Sequence, residues 1–141
     1  MDFDQNDVQS AALCAWKEAR GEGADGMRAV LHVLANRANN AYHSFGATIH
    51  DVIYGKNQFT SMSVPSDPEF NLQPAPGDEQ FSFAFGAAPG VLDGTDDDVT
   101  NGADYYANMH EIPTDGWFYK NIVLSKNHPI TAQIGHHTFF A

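Results

Sequence analysis

Glu18 and Glu22 lie four residues apart in the run Trp16-Lys17-Glu18-Ala19-Arg20-Gly21-Glu22-Gly23, the stretch of the chain with the most groups able to move protons. Just upstream, Val8, Ala12, Ala15, Trp16 and Ala19 recur at spacings of three and four, which marks one face of a helix. Gly21 is a stop signal for that helix, so Glu18 falls in its last turn. A carboxyl placed there faces the partial negative charge of the helix end, and an apolar wall such as Trp16 adds desolvation. Both effects favour the proton-bearing acid. Glycosidic cleavage needs such an acid, because the leaving oxygen must take up a proton as its bond breaks. A plainer outcome also fits the pattern: two solvated surface acids, with Glu18 paired to Lys17 or Arg20. On residue types alone, that is the commoner fate of acids at helix ends.

Other chemistries are less well served. There are seven histidines, but His136 and His137 are adjacent, and His32 sits on a helical stretch with no partner four residues away. No His-Glu-x-x-His or Cys/His ligand spacing occurs, so structural or solvated histidines are expected and no metal or cofactor. Asp96-Asp97-Asp98 resembles the start of a calcium loop but lacks the glycine and closing glutamate that should follow. A polar turn through Gly102 is the expectation. Cys14, the only cysteine, falls mid-helix without a positioned histidine, and there is no Gly-x-Ser-x-Gly. A buried free thiol is expected, with no disulfide and no nucleophilic role.

The elements that must position Glu18 can be read from periodicity and punctuation. The first helix starts near Val8, capped by Asp4 or Asn6. A second runs from about Asp25 to Ala38 with Met27, Val30, Leu31, Leu34, Ala35 and Ala38 as its buried stripe, ended by Asn39-Asn40. Thr48 opens a short third helix through Ile49, Val52 and Ile53, closed by Gly55. From Gln58 to Gly77 the breakers Pro65, Pro68, Pro74, Pro76 and Gly77 predict a long ordered loop. Loops of that length in a compact domain tend to be functional, and this one is expected to wall a groove beside Glu18, facing Tyr105 to Asn108. A further helix is expected from about Asp78 to Ala88, with Phe81, Phe85 and Ala88 on one face and an interruption at Pro89-Gly90. Ala103 to Asn108 and Ile134 to Phe140 carry strand-forming residues and are expected to pair.

Four blocks in order give this pattern a family likeness. Glu18-Ala-Arg-Gly-Glu22 followed by a helix ending Asn36-Arg37, then Asp51-Val-Ile-Tyr54 with Gln58-Phe59-Thr60-Ser61, then Thr100 to Asn108, then Ile134 to Phe140, span nearly the whole chain. They resemble the opening "EARGE", the "VIY...QFS", the "TNGALYFYN" and the closing "IGNHxFY" of the spore-cortex-lytic type of cell-wall hydrolases. Lys17, His136 and Phe140 depart from that pattern. The resemblance implies an α+β, mainly α, lysozyme-like domain with a small β portion. It implies cleavage of the bond between N-acetylmuramic acid and N-acetylglucosamine in peptidoglycan, with Glu18 as the catalytic acid and Glu22 as a possible second acid. It further implies lytic transglycosylation, in which one residue serves as acid and then base. A hydrolytic muramidase using Glu22 or Asp104 to activate water is the nearest alternative. A catalytically silent glycan-binding or virion structural domain is the alternative from another class.

The later blocks supply groups suited to holding sugars. Phe59, Tyr105 and Tyr106 can stack on pyranose faces, and Gln58, Ser61 and Asn108 can bond hydroxyls. Phe59 and one of the two tyrosines are equally suited to the core. On a strand, Tyr105 and Tyr106 point opposite ways, so only one is expected to line the groove.

Composition sets outer limits. A chain of 141 residues, 43% hydrophobic and without a low-complexity tract, suits one domain covering residues 1–141 with a real core. A formal charge of −11 with seven basic residues argues against nucleic-acid binding. The first ten residues have no basic or apolar segment of a signal peptide, and no stretch is long enough to span a membrane. The expectation is a monomer made in the cytoplasm, reaching the cell wall by release or injection as a phage-encoded lysin would.

Overall fold

The structure is a computed structural model that describes residues 1–141. Helix α1 (Gln5–Ala19) begins at Asp4, where a reciprocal cap forms: the Asp7 amide donates to Asp4 and the Asp4 amide donates to Asp7, each at 2.9 Å. The α-helix ends just before Gly21 with Glu18 in its last turn, as expected. The backbone then tightens into a 3-10 turn over Arg20–Glu22, and Gly23, at φ 75°, supplies the left-handed residue that redirects the chain into α2 (Gly23–Ala38). Helix α3 (Ile49–Tyr54) is capped by Thr48, whose hydroxyl accepts from the Asp51 amide at 3.1 Å.

The segment expected to be one long loop contains a single-turn helix, α4 (Thr60–Ser63), with the Val64 amide donating to the Thr60 carbonyl. Four residues are too few for periodicity to reveal. Helix α5 (Glu79–Leu92) runs straight through Pro89, contrary to the interruption expected there. A mid-helix proline costs about 3 kcal/mol through its lost amide and ring clash. Val91 and Leu92 lie beyond it and are both buried. Each contributes about 1.5–3 kcal/mol on burial, which together outweighs the proline. The buried stripe of α5 is Ala84, Ala88, Val91 and Leu92; Phe81 is partly buried and Phe85, like Phe83, is exposed. The small alanines let α5 pack closely on both α1 and α2, which explains why the larger phenylalanines stay outside.

The sheet is antiparallel in the order β1-β3-β2. Strands β1 (Tyr105–Asn108) and β3 (His137–Phe140) pair as expected, with Tyr106 opposite Phe139. Strand β2 (Ile130–Ile134) was not foreseen and joins β3 through a turn at Gly135-His136. The main core gathers residues of α1, α2, α3 and α5, including buried Cys14, and a smaller cluster of Ala29, Val33, Ala103 and Phe139 seats the sheet on α2. The acidic run docks on the same helix. Asp96 accepts from Arg28 and meets His32 Nε2 at 2.7 Å, while Asp98 accepts from Asn36 and from the Thr100 and Gly102 amides. Arg28, His32 and Asn36 recur every four residues and form one polar stripe, and His32 is a structural histidine paired with Asp96 from a distant turn. No helix is long and apolar enough to cross a membrane.

Candidate active site

Glu18 emerges from the last turn of α1 beside a cavity of about 700 Å³. Two hydroxyls hold its carboxyl group. Tyr106 Oη donates to one oxygen at 2.6 Å and Ser61 Oγ donates to the other at 2.9 Å. Burial first, and then the nearby Glu18 charge, push the Tyr106 phenol well above its ordinary range, so it stays a neutral donor. With both oxygens anchored from opposite elements, the carboxyl plane is fixed.

Ser61 is itself positioned from α1. Lys17 is buried, and its Nζ donates to the Ser61 carbonyl at 3.2 Å and to the Phe70 carbonyl at 2.8 Å. Arg20 makes a two-pronged pair with Glu69 and lies over the Trp16 ring. The helix that carries Glu18 therefore also clamps residues 61–70 against itself. Lys17 and Arg20, the two cations offered by the plain reading as partners for Glu18, bond the loop instead.

The walls of the cavity are aromatic: Phe45, Phe59, Tyr105, Tyr106, Trp117 and Phe118, with Gln58, Asn57 and Arg37 among them. Glu18 and Arg37 are its only charged lining residues. A family model described as Cell Wall Hydrolase matches residues 21–140. The chain belongs to the cell wall hydrolase family.

Relatives within this family cover the chain from end to end. It is 33% identical over 97% of its length to a spore cortex-lytic enzyme of Oceanobacillus iheyensis, and 31% identical over the same share to one from Halalkalibacterium halodurans. It spans 42% and 35% of those two proteins. Among solved structures, the catalytic domain of the Bacillus cereus SleB protein superposes with a TM-score of 0.73 at 29% identity, covering 99% of this chain and 93% of that one. The catalytic domain of the germination-specific lytic transglycosylase SleB from Bacillus anthracis does so at 0.73 and 30% identity, covering 99% and 97%. The lysozyme-like, mainly helical fold expected from the sequence is thus the fold of this family's catalytic domain. None of these relatives is a phage lysin, the origin expected above.

In this cell wall hydrolase, the residues expected to hold sugars are distributed unevenly. Gln58, Phe59, Tyr105 and Tyr106 border the cavity. Ser61 is buried behind it and serves Glu18 rather than open space. Phe59 is 2% exposed and belongs to the main core as well as to the cavity wall. Both tyrosines line the cavity, not one as expected, because β1 is an edge strand and side chains of both its faces border the adjoining space. Asn108 is not among the lining residues; its side-chain oxygen accepts from the His110 amide at 3.1 Å and shapes a turn.

Glu22 is also turned away. Its two oxygens take the His136 amide at 3.1 Å and His136 Nδ1 at 2.9 Å, and these bonds hold its carboxyl below the usual glutamate range. The β2–β3 turn can approach this closely only because Gly135 has no Cβ, which would strike the Glu22 carboxylate. Asp104 lies outside the cavity lining, and burial raises its carboxyl above the ordinary range. Arg37, Phe45, Trp117 and Phe118 were not singled out as site residues from sequence. The adjacent Trp117-Phe118 pair in a segment without periodicity was the one available signal, and Trp117 is indeed 64% exposed.

Proposed function

We propose that the chain cleaves peptidoglycan glycan strands at the bond between N-acetylmuramic acid and N-acetylglucosamine, by lytic transglycosylation with Glu18 as acid and then base. One observation carries this reading: Glu18 is the only carboxylic acid lining an aromatic cavity, and two hydroxyls fix its orientation. Glycosidases that hydrolyse through two carboxyl groups need the second one across the scissile bond, at about 5–9.5 Å. Here Glu22 is bound to His136, and Asp104 lies outside the lining. A single carboxyl suffices for transglycosylation. Glu18 protonates the glycosidic oxygen, and the C1–O bond breaks. The resulting carboxylate then takes the proton of the muramic acid 6-hydroxyl as O6 closes onto C1. The lytic transglycosylase name of the Bacillus anthracis relative supports the same reading. The family match begins just after Glu18, so the geometry around this residue carries its role.

Pyranose rings have apolar faces, and exposed Trp117 with Phe118 and Tyr105 offers the stacking surface for them. The test is the Glu18→Gln protein, in which the amide keeps size and hydrogen bonding but has no acid proton. Clearing of a peptidoglycan suspension should slow by at least about a hundredfold, with the thermal midpoint unchanged. Clearing at near-parental rate would remove Glu18 from the reaction.

A further inference from the structure

We propose that Arg37 is a carboxylate-binding residue within the cavity, recognising the acidic group carried on the side chain of muramic acid. The inference builds on the glycan reading above and names which feature of the glycan the site selects. The chain has three arginines, and two of them have carboxylate partners, Glu69 for Arg20 and Asp96 for Arg28. Arg37 has none within salt-bridge distance, although it is only 8% exposed. A buried unpaired cation is strongly unfavourable, and a fold that keeps one keeps it against that cost.

What surrounds Arg37 leaves most of its donors free. Its Nε donates to the Asp104 carbonyl at 2.7 Å and one Nη meets Gln58 Oε1 at the long distance of 3.5 Å. Phe45, Phe59 and Tyr105 rings lie 4.7, 5.2 and 5.7 Å from the guanidinium carbon. Cation–π contacts offset part of the desolvation but accept no hydrogen bond. A guanidinium has five N–H donors in a planar fork. None of the Arg37 nitrogens is both buried and unpartnered, so the remaining donors reach the cavity that they line. A fork with one end pinned to a main-chain carbonyl and the other open presents the geometry that takes a carboxylate through two parallel bonds.

The ligand chemistry follows from that geometry and from the charge of the molecule. With 18 acids against seven bases, the protein repels anionic polymers at a distance, and Arg37 is the only cation lining the cavity. On a glycan of alternating N-acetylglucosamine and N-acetylmuramic acid, the anionic groups are the lactyl carboxylate, where it is free, and the carboxylates of a stem peptide, where one is attached. Both offer the same planar pair of oxygens. Chitin oligomers carry only neutral amides and hydroxyls.

The experiment measures binding without turnover, on the Glu18→Gln protein, by calorimetry with three probes of equal length. These are chitotetraose, a glucosaminyl-muramyl tetrasaccharide with free lactyl carboxylates, and the same tetrasaccharide bearing stem peptides. At least one muramyl probe should bind about tenfold or more tightly than chitotetraose, as a charge-assisted bond implies. Tightest binding of the bare tetrasaccharide identifies the lactyl group, and tightest binding of the peptide-bearing one identifies the peptide. In the double variant with Arg37→Lys, which keeps the charge but not the fork, the ratio of muramyl to chitotetraose affinity should fall to within about twofold of one; a ratio that survives intact in a folded variant would overturn the proposal. The three probes compared on one protein need no folded Arg37 variant. Equal affinity for chitotetraose and both muramyl probes would overturn the carboxylate role and leave the glycan reading standing. Absence of binding to all three would overturn both.

Discussion

Tyr106 and Phe59 both border the cavity, yet they serve it in different ways, and single substitutions separate them. Tyr106 presents its hydroxyl to Glu18, and its ring packs on His137 and Phe139. Tyr106→Phe keeps the ring and removes the donor, leaving one carboxyl oxygen of Glu18 free to swing. We expect kcat on peptidoglycan to fall about tenfold or more with KM within twofold and the thermal midpoint nearly unchanged. An unaltered kcat would show that Ser61 alone orients the acid. Phe59 sits in the core, so Phe59→Ala should cost about 3–5 kcal/mol and lower the midpoint by roughly 10–17 °C. Sequence alone left Phe59 open between groove and core. Only its place in both the main core and the cavity wall shows that it is both, so its loss should damage the fold before it damages sugar binding.

At the scale of elements, the Glu22–His136 contact ties the β2–β3 turn to the 3-10 turn that follows Glu18. The His136 amide is the leading cause that depresses the Glu22 carboxyl, followed by the His136 ring. A folded-state pKa below the unfolded one gives stability that is present above the ordinary glutamate value and lost as pH falls through the depressed one. The parent should therefore melt above Glu22→Gln at pH 6, and the gap should close as the pH drops below about 4.5. A gap that persists unchanged at pH 3 would mean the contact contributes nothing through ionisation. Helices α1, α2 and α3 were legible in the sequence because their apolar spacing and caps at Asp4 and Thr48 agree. Helix α5 was cut short because Pro89 outweighs local signals that only the burial of Val91 and Leu92 can override. Strand β2 was missed because Ile130 and Gln133 are exposed on an outer strand, which removes the inside-outside alternation that reveals strands. At the site, the four-block resemblance named Glu18, Tyr106 and Ser61, but it offered the last two as sugar contacts rather than as the hydroxyls that hold Glu18. Arg37 stood in the first block without a role and Trp117 in none, because the cavity they share is assembled from α2 and a late segment that no local pattern connects.

At the scale of the molecule, the proposed function requires a protein of net charge −11 to approach an anionic wall against its own field. The Debye length shrinks from about 30 Å at 0.01 M salt to about 8 Å at 0.15 M, so long-range repulsion should fade while contacts inside the cavity persist. Clearing of peptidoglycan should accelerate over that range of salt, and a steady decline would mean that exposed charge attraction governs the encounter. The proposed transglycosylation and its hydrolytic alternative leave different ends on the glycan, and the products record which has occurred. Mass analysis of the glycan fragments released by the parent protein, before and after borohydride treatment, is the direct test. Fragments ending in 1,6-anhydro-N-acetylmuramic acid, lighter by one water than hydrolysis products and unchanged by borohydride, are the predicted result. Fragments ending mainly in reducible N-acetylmuramic acid would contradict transglycosylation and mean that water, not the 6-hydroxyl, reaches C1.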